Sequence, residues 1–214
     1  MKNPILLIVG VLAAAALACT GSGVSTEEAP PVPTEAPDFA DDFSSDTSGW
    51  DITTGATYEN GQYVITTEED SIVEWGAANR VFNNVTVTVD AIPLSINSNE
   101  NLEYGLACRL NSSNGDGYYA FVTADGFWAL AKASGNEFFD LVDYTSAGAI
   151  LKGAEQNTLT LSCIDNTIRL EVNGREVGSV QDDEFLNGDI GLAATSFSVT
   201  GDRVAFDNLI VYEE

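Results

Sequence analysis

Apolar and polar residues alternate along most of the chain after residue 40, as in β-strands with one buried face and one wet face. In "NNVTVTVDAI", Val85, Val87 and Val89 alternate with polar residues, and "NTLTLSCIDNTIRLEVNG" continues the pattern on both sides of a turn. No segment after residue 40 has a sustained helical period, apart from a short turn near "DDEFLNG". The pattern predicts an all-β chain folded as an antiparallel two-sheet sandwich or barrel.

Turn residues divide the alternating segments into hairpins. Asn60-Gly61 in "YENGQYVITT" is a strong short-range hairpin signal, and Asp125-Gly126 predicts another hairpin in "GYYAFVTADGFWALAKAS". We expect "ADDFSS" to pair close to the final strand, because such pairing protects the edges of a sandwich. Trp50, just before the first hairpin, is expected to pack as an anchor for this amino-terminal strand.

The first 18 residues indicate export. Lys2 precedes an apolar run from Ile5 to Leu17 that is shorter than the about 20 residues needed to span a bilayer. Cys19 follows directly, so the segment resembles a bacterial lipoprotein signal, in which that cysteine is diacylated. Ala16 stands where such signals have leucine, which leaves ordinary cleavage after Ala18 open. We interpret 1–18 as a signal peptide, 19–38 as a lipidated Pro/Glu-rich tether and 39–214 as the folded domain, placed at the cell envelope and facing the periplasm or extracellular space.

Three cysteines in an exported chain leave one unpaired. Lipidation of Cys19 would use the odd one, so Cys108 and Cys163 are predicted to form a disulfide. Each alternates with core leucines on its strand, so both sulfurs should point inward. Two buried free thiols are the alternative.

The net charge of −25 arises from 8 basic and 33 acidic residues. Nucleic acid is an unsuitable partner because binding it requires a clustered positive surface. Contact with a membrane is expected through the lipid anchor only. The acid excess favours solubility and could attract divalent cations.

Three stretches carry a family resemblance: "DDFSSDTSGW", "YGLACRL…GYYAFVTADGFWALAK" and "LTLSCIDNTIRLEVNGREVGSVQDDEFLNGDIGLAA…VAFDNLIV". Over about residues 39–212, the chain resembles the concanavalin A-like lectin/glucanase jelly rolls, closest to laminin-G-like and 3-keto-disaccharide hydrolase-type domains. The resemblance implies a jelly-roll sandwich and favours a carbohydrate ligand. Because this fold carries lectins, hydrolases and adhesion modules, it leaves the function open.

Any acid–base catalysis would depend on carboxylates, because the chain has no histidine. Retaining members of the glucanase fold present three acids on an E-x-D-x-x-E strand. Here "EEDSIVEW" supplies Glu68, Asp70 and Glu74, one residue longer than that motif, in alternation with a shared strand face. A solvated edge strand is the favoured alternative, so the sequence favours a non-catalytic role and leaves a glycoside hydrolase open.

Loop oxygens offer a calcium site, since some laminin-G-like domains hold calcium at a rim. The candidate donors are Asn111, Asn114, Asp116 and Asp125. The same residue types are favoured in turns, which is the alternative interpretation.

Aromatic residues are the stronger candidates for ligand binding, because the apolar faces of sugar rings stack on Trp and Tyr. Arg109 alternates with Gly105 and Ala107, so we expect it on a face with room for a ligand. Tyr104 alternates with core residues and could be buried instead. The candidate ligand-binding residues are Arg109, Trp75, Trp128, Tyr119 and Tyr104.

The sequence therefore favours an anchored, non-catalytic domain that binds a glycan or another extracellular polymer. A glycoside hydrolase and a protein–protein adhesion module are the alternatives. An exposed aromatic shelf would favour binding of sugars, three converging acids would favour the hydrolase, and a filled face would favour adhesion.

Overall fold

The structure is a computed structural model that describes residues 36–97, 101–135, 137–197 and 199–214. The predicted signal peptide, Cys19 and most of the tether lie outside the described residues. Within them, no helix is long and apolar enough to cross a membrane. The strands are β1 Phe39–Asp41, β2 Ala56–Glu59, β3 Gln62–Thr66, β4 Glu74–Ala77, β5 Val85–Ser95, β6 Glu103–Leu110, β7 Gly117–Thr123, β8 Phe127–Ser134, β9 Glu137–Ser146, β10 Asn157–Ile164, β11 Thr167–Val172, β12 Arg175–Gln181, β13 Asp189–Thr195 and β14 Arg203–Glu213.

The strands form two antiparallel sheets. Sheet A has the order β12-β11-β10-β5-β14-β3-β2, with β1 paired to the end of β14, and sheet B has the order β4-β13-β6-β7-β8-β9. Alternate residues of both sheets, among them Val87, Leu106 and Leu161, are buried in a shared apolar core. The predicted antiparallel jelly-roll sandwich is confirmed.

The predicted turns and edge pairing near the amino-terminal end of the domain are also confirmed. Asn60-Gly61 joins β2 to β3, and both residues have the positive φ angles, 53° and 77°, that a tight hairpin turn requires. Phe39 of β1 pairs with Val211 of β14. Trp50 is buried, and its indole Nε1 donates a 3.1 Å hydrogen bond to Oδ2 of Asp41, so it anchors β1 as expected.

A disulfide joins the two sheets. Cys108 of β6 and Cys163 of β10 are bonded, with their Cα atoms 6.6 Å apart and a sequence separation of 55. The prediction is confirmed and the alternative of two free thiols is wrong. Closing a loop of this length stabilises the fold by about 4 kcal/mol in the chain-entropy treatment.

A β-bulge in β6 changes the face on which its last residues lie. Leu110 pairs with Asp189 and Ala107 with Gly191, so two residues of β6 oppose one residue of β13. Arg109 has a φ of 51°, in the left-handed region. As a result Leu110 joins the apolar cluster on the outer side of sheet B, although regular alternation with Leu106 and Cys108 would place it in the core.

The same bulge turns Arg109 away from the small-residue face, so the expectation that it lies there is wrong. Its guanidinium donates to the backbone oxygens of Phe185, at 2.9 Å, and Cys163, at 3.1 Å. Only 2% of Arg109 is exposed. Arg109 therefore links the end of β6 to sheet A and is not placed to meet a ligand on the outer side of sheet B.

Candidate functional site

The side of sheet B that faces away from the core, here called the outer face, is built on small residues. Gly105 and Ala107 of β6 lie between Ala193 of β13 and the rings of β7. The rings of Tyr119 and Phe121 stack with centroids 5.7 Å apart and an interplanar angle of 12°. Because the neighbouring side chains are so short, these rings are buried against the sheet and form the floor of the outer face.

One end of the outer face holds a hollow of about 290 Å³, here called the Trp75 hollow. Trp75 is half-buried and packs against Gly115, whose φ of +80° suits glycine; a Cβ there would lie 3.2 Å from the indole Nε1. The Phe138 ring lies 5.2 Å from the Tyr119 ring. The residues that line the hollow include Ser71, Trp75, Asn114, Asp116, Tyr119 and Phe138.

Polar groups stand beside the aromatic rings of the Trp75 hollow and are held in place by local hydrogen bonds. Asn114 Nδ2 donates to Asp116 Oδ2 at 2.8 Å, and the Tyr119 hydroxyl donates to the backbone oxygen of Gly115 at 2.7 Å. Burial is the main cause of the raised pKa of Tyr119, so this hydroxyl stays protonated at neutral pH. The hollow thus combines apolar ring surfaces with fixed polar groups, as ligand sites commonly do.

The opposite end of the outer face holds a second hollow of about 250 Å³, here called the Glu103 hollow. Tyr119 and Thr123 lie on the same side of β7, four residues apart, which separates the hollows by about 13 Å at the usual strand rise. The residues lining this hollow are Asn101, Glu103, Thr123, Asp125, Phe127, Tyr144 and Phe197.

Glu103 is the most perturbed acid in this hollow. Only 7% of it is exposed, and its Oε2 accepts a 2.7 Å hydrogen bond from the Tyr144 hydroxyl. The pKa of Glu103 is raised to about 7, chiefly by burial and with smaller contributions from Asp140 and Asp125, while the hydrogen bond from Tyr144 acts in the opposite direction. The carboxyl group therefore changes charge near neutral pH.

The structure brings only two of the five predicted ligand-binding residues, Trp75 and Tyr119, together on the outer face. Trp128 and Tyr104 are buried inside the sandwich, so their predicted exposure to a ligand is wrong. The Trp128 ring packs against Gly178 of β12, and the Tyr104 hydroxyl accepts a 3.0 Å hydrogen bond from Nδ2 of Asn157. Strands β6 and β7 are buried on both sides, so their alternation did not reveal which side is the core.

The predicted row of carboxylates does not form. Glu68 and Asp70 lie in the connection between β3 and β4, and only Glu74 belongs to a strand. The Glu74 carboxylate lies over Gly55, on the opposite side of β4 from Trp75. The expectation that the three acids share a strand face is wrong, because the segment before Glu74 is not extended into the sheet.

The expected calcium donors are divided between two turns. Asn111, Asn114 and Asp116 lie between β6 and β7, whereas Asp125 lies between β7 and β8, at the other end of β7. Asn111 Oδ1 accepts a 3.0 Å hydrogen bond from the backbone nitrogen of Ser113, as in a polar turn. Among the described residues no group of three or more His, Cys, Asp or Glu is arranged to hold a metal ion. Calcium binding stays a prediction.

Glu103 was not among the predicted site residues, although the sequence carries a signal for it. In "NLEYGLACRL" it is the single acid in an otherwise largely apolar strand. Such an acid must either reach solvent or be buried with a partner. Its partner Tyr144 is 41 residues away in sequence, on a strand that is brought close by sheet pairing.

Comparison with known proteins reveals the fold. No family model matches the chain, and no curated protein matches it by sequence. The structure is similar to the carbohydrate binding module CBM66 from Bacillus subtilis, with a TM-score of 0.64, 17% identity and coverage of 78% of this chain and 96% of that chain. The fold is that of the lectin and glucanase jelly rolls.

Two further similar structures show how widely this jelly roll is used. The Bacillus licheniformis β-glucanase has a TM-score of 0.60 at 9% identity, over 85% of this chain and 100% of that chain. The carbohydrate recognition domain of Emp47p has a TM-score of 0.58 at 14% identity, over 82% and 95%. At these identities the likeness describes the fold alone.

Proposed function

We propose that this protein is a non-catalytic glycan-binding domain, and that it holds its ligand in the Trp75 hollow. The observation that carries the proposal is a half-buried tryptophan beside two further aromatic rings, with fixed polar side chains at the same rim. Sugar rings have apolar faces that stack on such rings and hydroxyl groups that hydrogen-bond to the amide and carboxylate oxygens nearby.

Two further observations support this proposal. A structure with the same fold is a carbohydrate binding module by name, and another is a carbohydrate recognition domain. In addition, Glu68, Asp70 and Glu74 do not form the row of acids that the glucanase-type resemblance implied. The aromatic hollow therefore favours binding of sugars over their hydrolysis.

Two neighbouring phenylalanines offer a matched test. Phe138 and Phe139 are adjacent on the edge strand β9 and have similar exposures of 48% and 44%. Phe138 contacts Tyr119 on the outer face, whereas Phe139 pairs with Lys132 and points to the other side of the sheet. A glycan in the Trp75 hollow should touch the first ring and not the second.

The purified protein should first be screened against a broad set of oligosaccharides, and the affinity for each bound sugar should then be measured by calorimetry. Trp75→Ala and Phe138→Ala should each weaken binding by about tenfold or more, while Phe139→Ala should leave the affinity unchanged. A loss of this size is typical when an aromatic ring that contacts the ligand is removed. Equal effects of the two phenylalanine variants would contradict the assigned site. Cleavage of the bound sugar would indicate a hydrolase, and binding to no sugar would favour a protein partner.

The cellular placement forms a second part of the proposal. Export and attachment through a lipid on Cys19 would concentrate the domain at the cell envelope, on a tether formed by residues 19–38. The apolar run before Cys19 and the Pro/Glu-rich stretch after it support this placement. In cells, Cys19→Ser should move the protein from the membrane fraction to the soluble fraction; retention in the membrane fraction would show that Cys19 is not the anchor.

A further inference from the structure

The Glu103 hollow has aromatic walls and an acidic floor. Phe127, Tyr144 and Phe197 line it from three different segments of the chain, and each ring is partly exposed. The face of an aromatic ring carries negative electrostatic potential, so rings arranged around a small space attract a positively charged group.

The acids in and around this hollow have no described basic partner within it. Glu103 is more than nine-tenths buried, and among the described side chains only the Tyr144 hydroxyl donates a hydrogen bond to it, while Asp125 accepts one from Thr123. None of the described residues that line the hollow is lysine or arginine. Lys152 is nearby, and its side chain lies against Gly126 in the turn that follows Asp125.

A buried carboxylate without a positive partner destabilises the site in its charged form. A cation that entered the hollow would relieve this cost and would also contact the three aromatic rings that line it. A metal ion is a poor candidate for this position, because the apolar rings supply no ligands to it. An organic cation with an apolar shell fits both kinds of surface.

We propose that the Glu103 hollow is a binding site for an organic ammonium group. Two sources share this chemistry, the amino group of an amino sugar and a trimethylammonium group such as that of choline. The volume of about 250 Å³ accommodates one such small group. This site lies at the other end of the outer face from the Trp75 hollow and does not depend on sugar binding there.

The proposal makes the affinity depend on pH in a defined direction. The groups that act on the Glu103 carboxyl are the Tyr144 hydroxyl and the carboxylates of Asp140 and Asp125. Since Glu103 titrates near neutral pH, a cation should bind more tightly as pH rises through about 7 and the carboxylate forms. Choline is the better probe for this purpose because its charge does not titrate.

The test uses calorimetric titration of the purified protein with choline and with its neutral tert-butyl analogue, which has the same shape. At pH 8, choline should bind about tenfold more tightly than the analogue, and Glu103→Gln should remove most of that preference. Glu137→Gln removes a carboxylate from the exposed start of β9 and should leave the preference unchanged, which controls for the net charge of the protein.

Glucosamine and glucose form the second pair of probes. A preference for glucosamine over glucose that is lost in Glu103→Gln would identify an amino sugar as the source, and a preference for choline alone would identify a quaternary ammonium. The proposal would be overturned if neither cation bound, if neither choline nor glucosamine bound more tightly than its neutral counterpart, or if Glu103→Gln and Glu137→Gln had equal effects. If no sugar binds in the Trp75 hollow, all these expected results stay the same.

Discussion

Replacing Glu103 by glutamine should stabilise the protein at neutral pH and flatten part of its pH profile. Glutamine keeps the shape of the side chain and can still accept a hydrogen bond from Tyr144, but it carries no charge into the buried position. The wild-type carboxyl must be protonated or else ionise where solvation is poor. Glu103→Gln is neutral at every pH and has neither of these costs.

The size and sign of the effect follow from the pKa of Glu103. It rises from 4.5 to about 7 on folding, and each unit corresponds to about 1.4 kcal/mol, which gives an upper value of about 3 kcal/mol. Between these two values the folded state binds more protons at this site than the unfolded state. The stability that Glu103 contributes by holding its proton in the folded state is therefore complete below about pH 4.5. It falls as pH rises and is fully lost above about pH 7.

Urea denaturation from pH 4 to pH 8 measures this contribution directly. The difference in unfolding free energy between Glu103→Gln and wild type should grow by about 2 to 3 kcal/mol across the range, with most of the change between pH 4.5 and 7. Glu137→Gln supplies the comparison for loss of an exposed carboxylate and should give a much smaller change. Parallel profiles of wild type and Glu103→Gln would refute the reasoning, because Glu103 would then titrate alike in the folded and unfolded states.

Three other variants test the packing. Arg109→Ala should lower the free energy of unfolding by about 3 kcal/mol, because two carbonyl oxygens lose a charged donor. Urea denaturation measures this loss, and a loss below about 1 kcal/mol would contradict the role assigned to Arg109. Replacing Cys108 and Cys163 together by alanine should cost about 2 to 4 kcal/mol, measured in the same way, and an unchanged midpoint would show that the disulfide adds no stability. Gly178→Ala places a methyl group against the buried Trp128 ring and should cost about 1 to 3 kcal/mol and shift tryptophan fluorescence; an unchanged spectrum would mean that this contact is absent.

The strands and their pairing could be predicted largely from local signals. The turn at Asn60-Gly61 depends on two adjacent residues that tolerate positive φ, so the sequence reveals it directly. The inward direction of Cys108 and Cys163 follows from simple alternation with leucines, which holds as long as a strand remains regular. Such features depend on residues that are close together in sequence.

The candidate site could be predicted only in part, because it depends on irregularity and on distant residues. One extra residue in β6 forms a bulge that turns Arg109 to the other side of the sheet. No glycine or other turn residue in β6 marks the position of this bulge after Ala107. The sequence does not distinguish Trp128 from Trp75 as a ligand-binding residue, because both faces of the strand that carries Trp128 have apolar residues. The raised pKa of Glu103 arises mainly from burial, against the opposing effect of its hydrogen bond from Tyr144. Tyr144 lies on β9, which folds back beside β8 and is distant from Glu103 in sequence.

The position of the disulfide gives the two ends of the outer face different thermodynamic characters. Cys108 lies near the turn that supports the Trp75 hollow, whereas Glu103 is five residues away at the start of β6, about 17 Å along the strand. A ligand at the cross-linked end meets a backbone that is covalently tied to sheet A, so less backbone entropy remains to be lost there. Occupancy of the Glu103 end orders side chains that no covalent bond restrains, and its binding should show a larger favourable enthalpy offset by an unfavourable entropy.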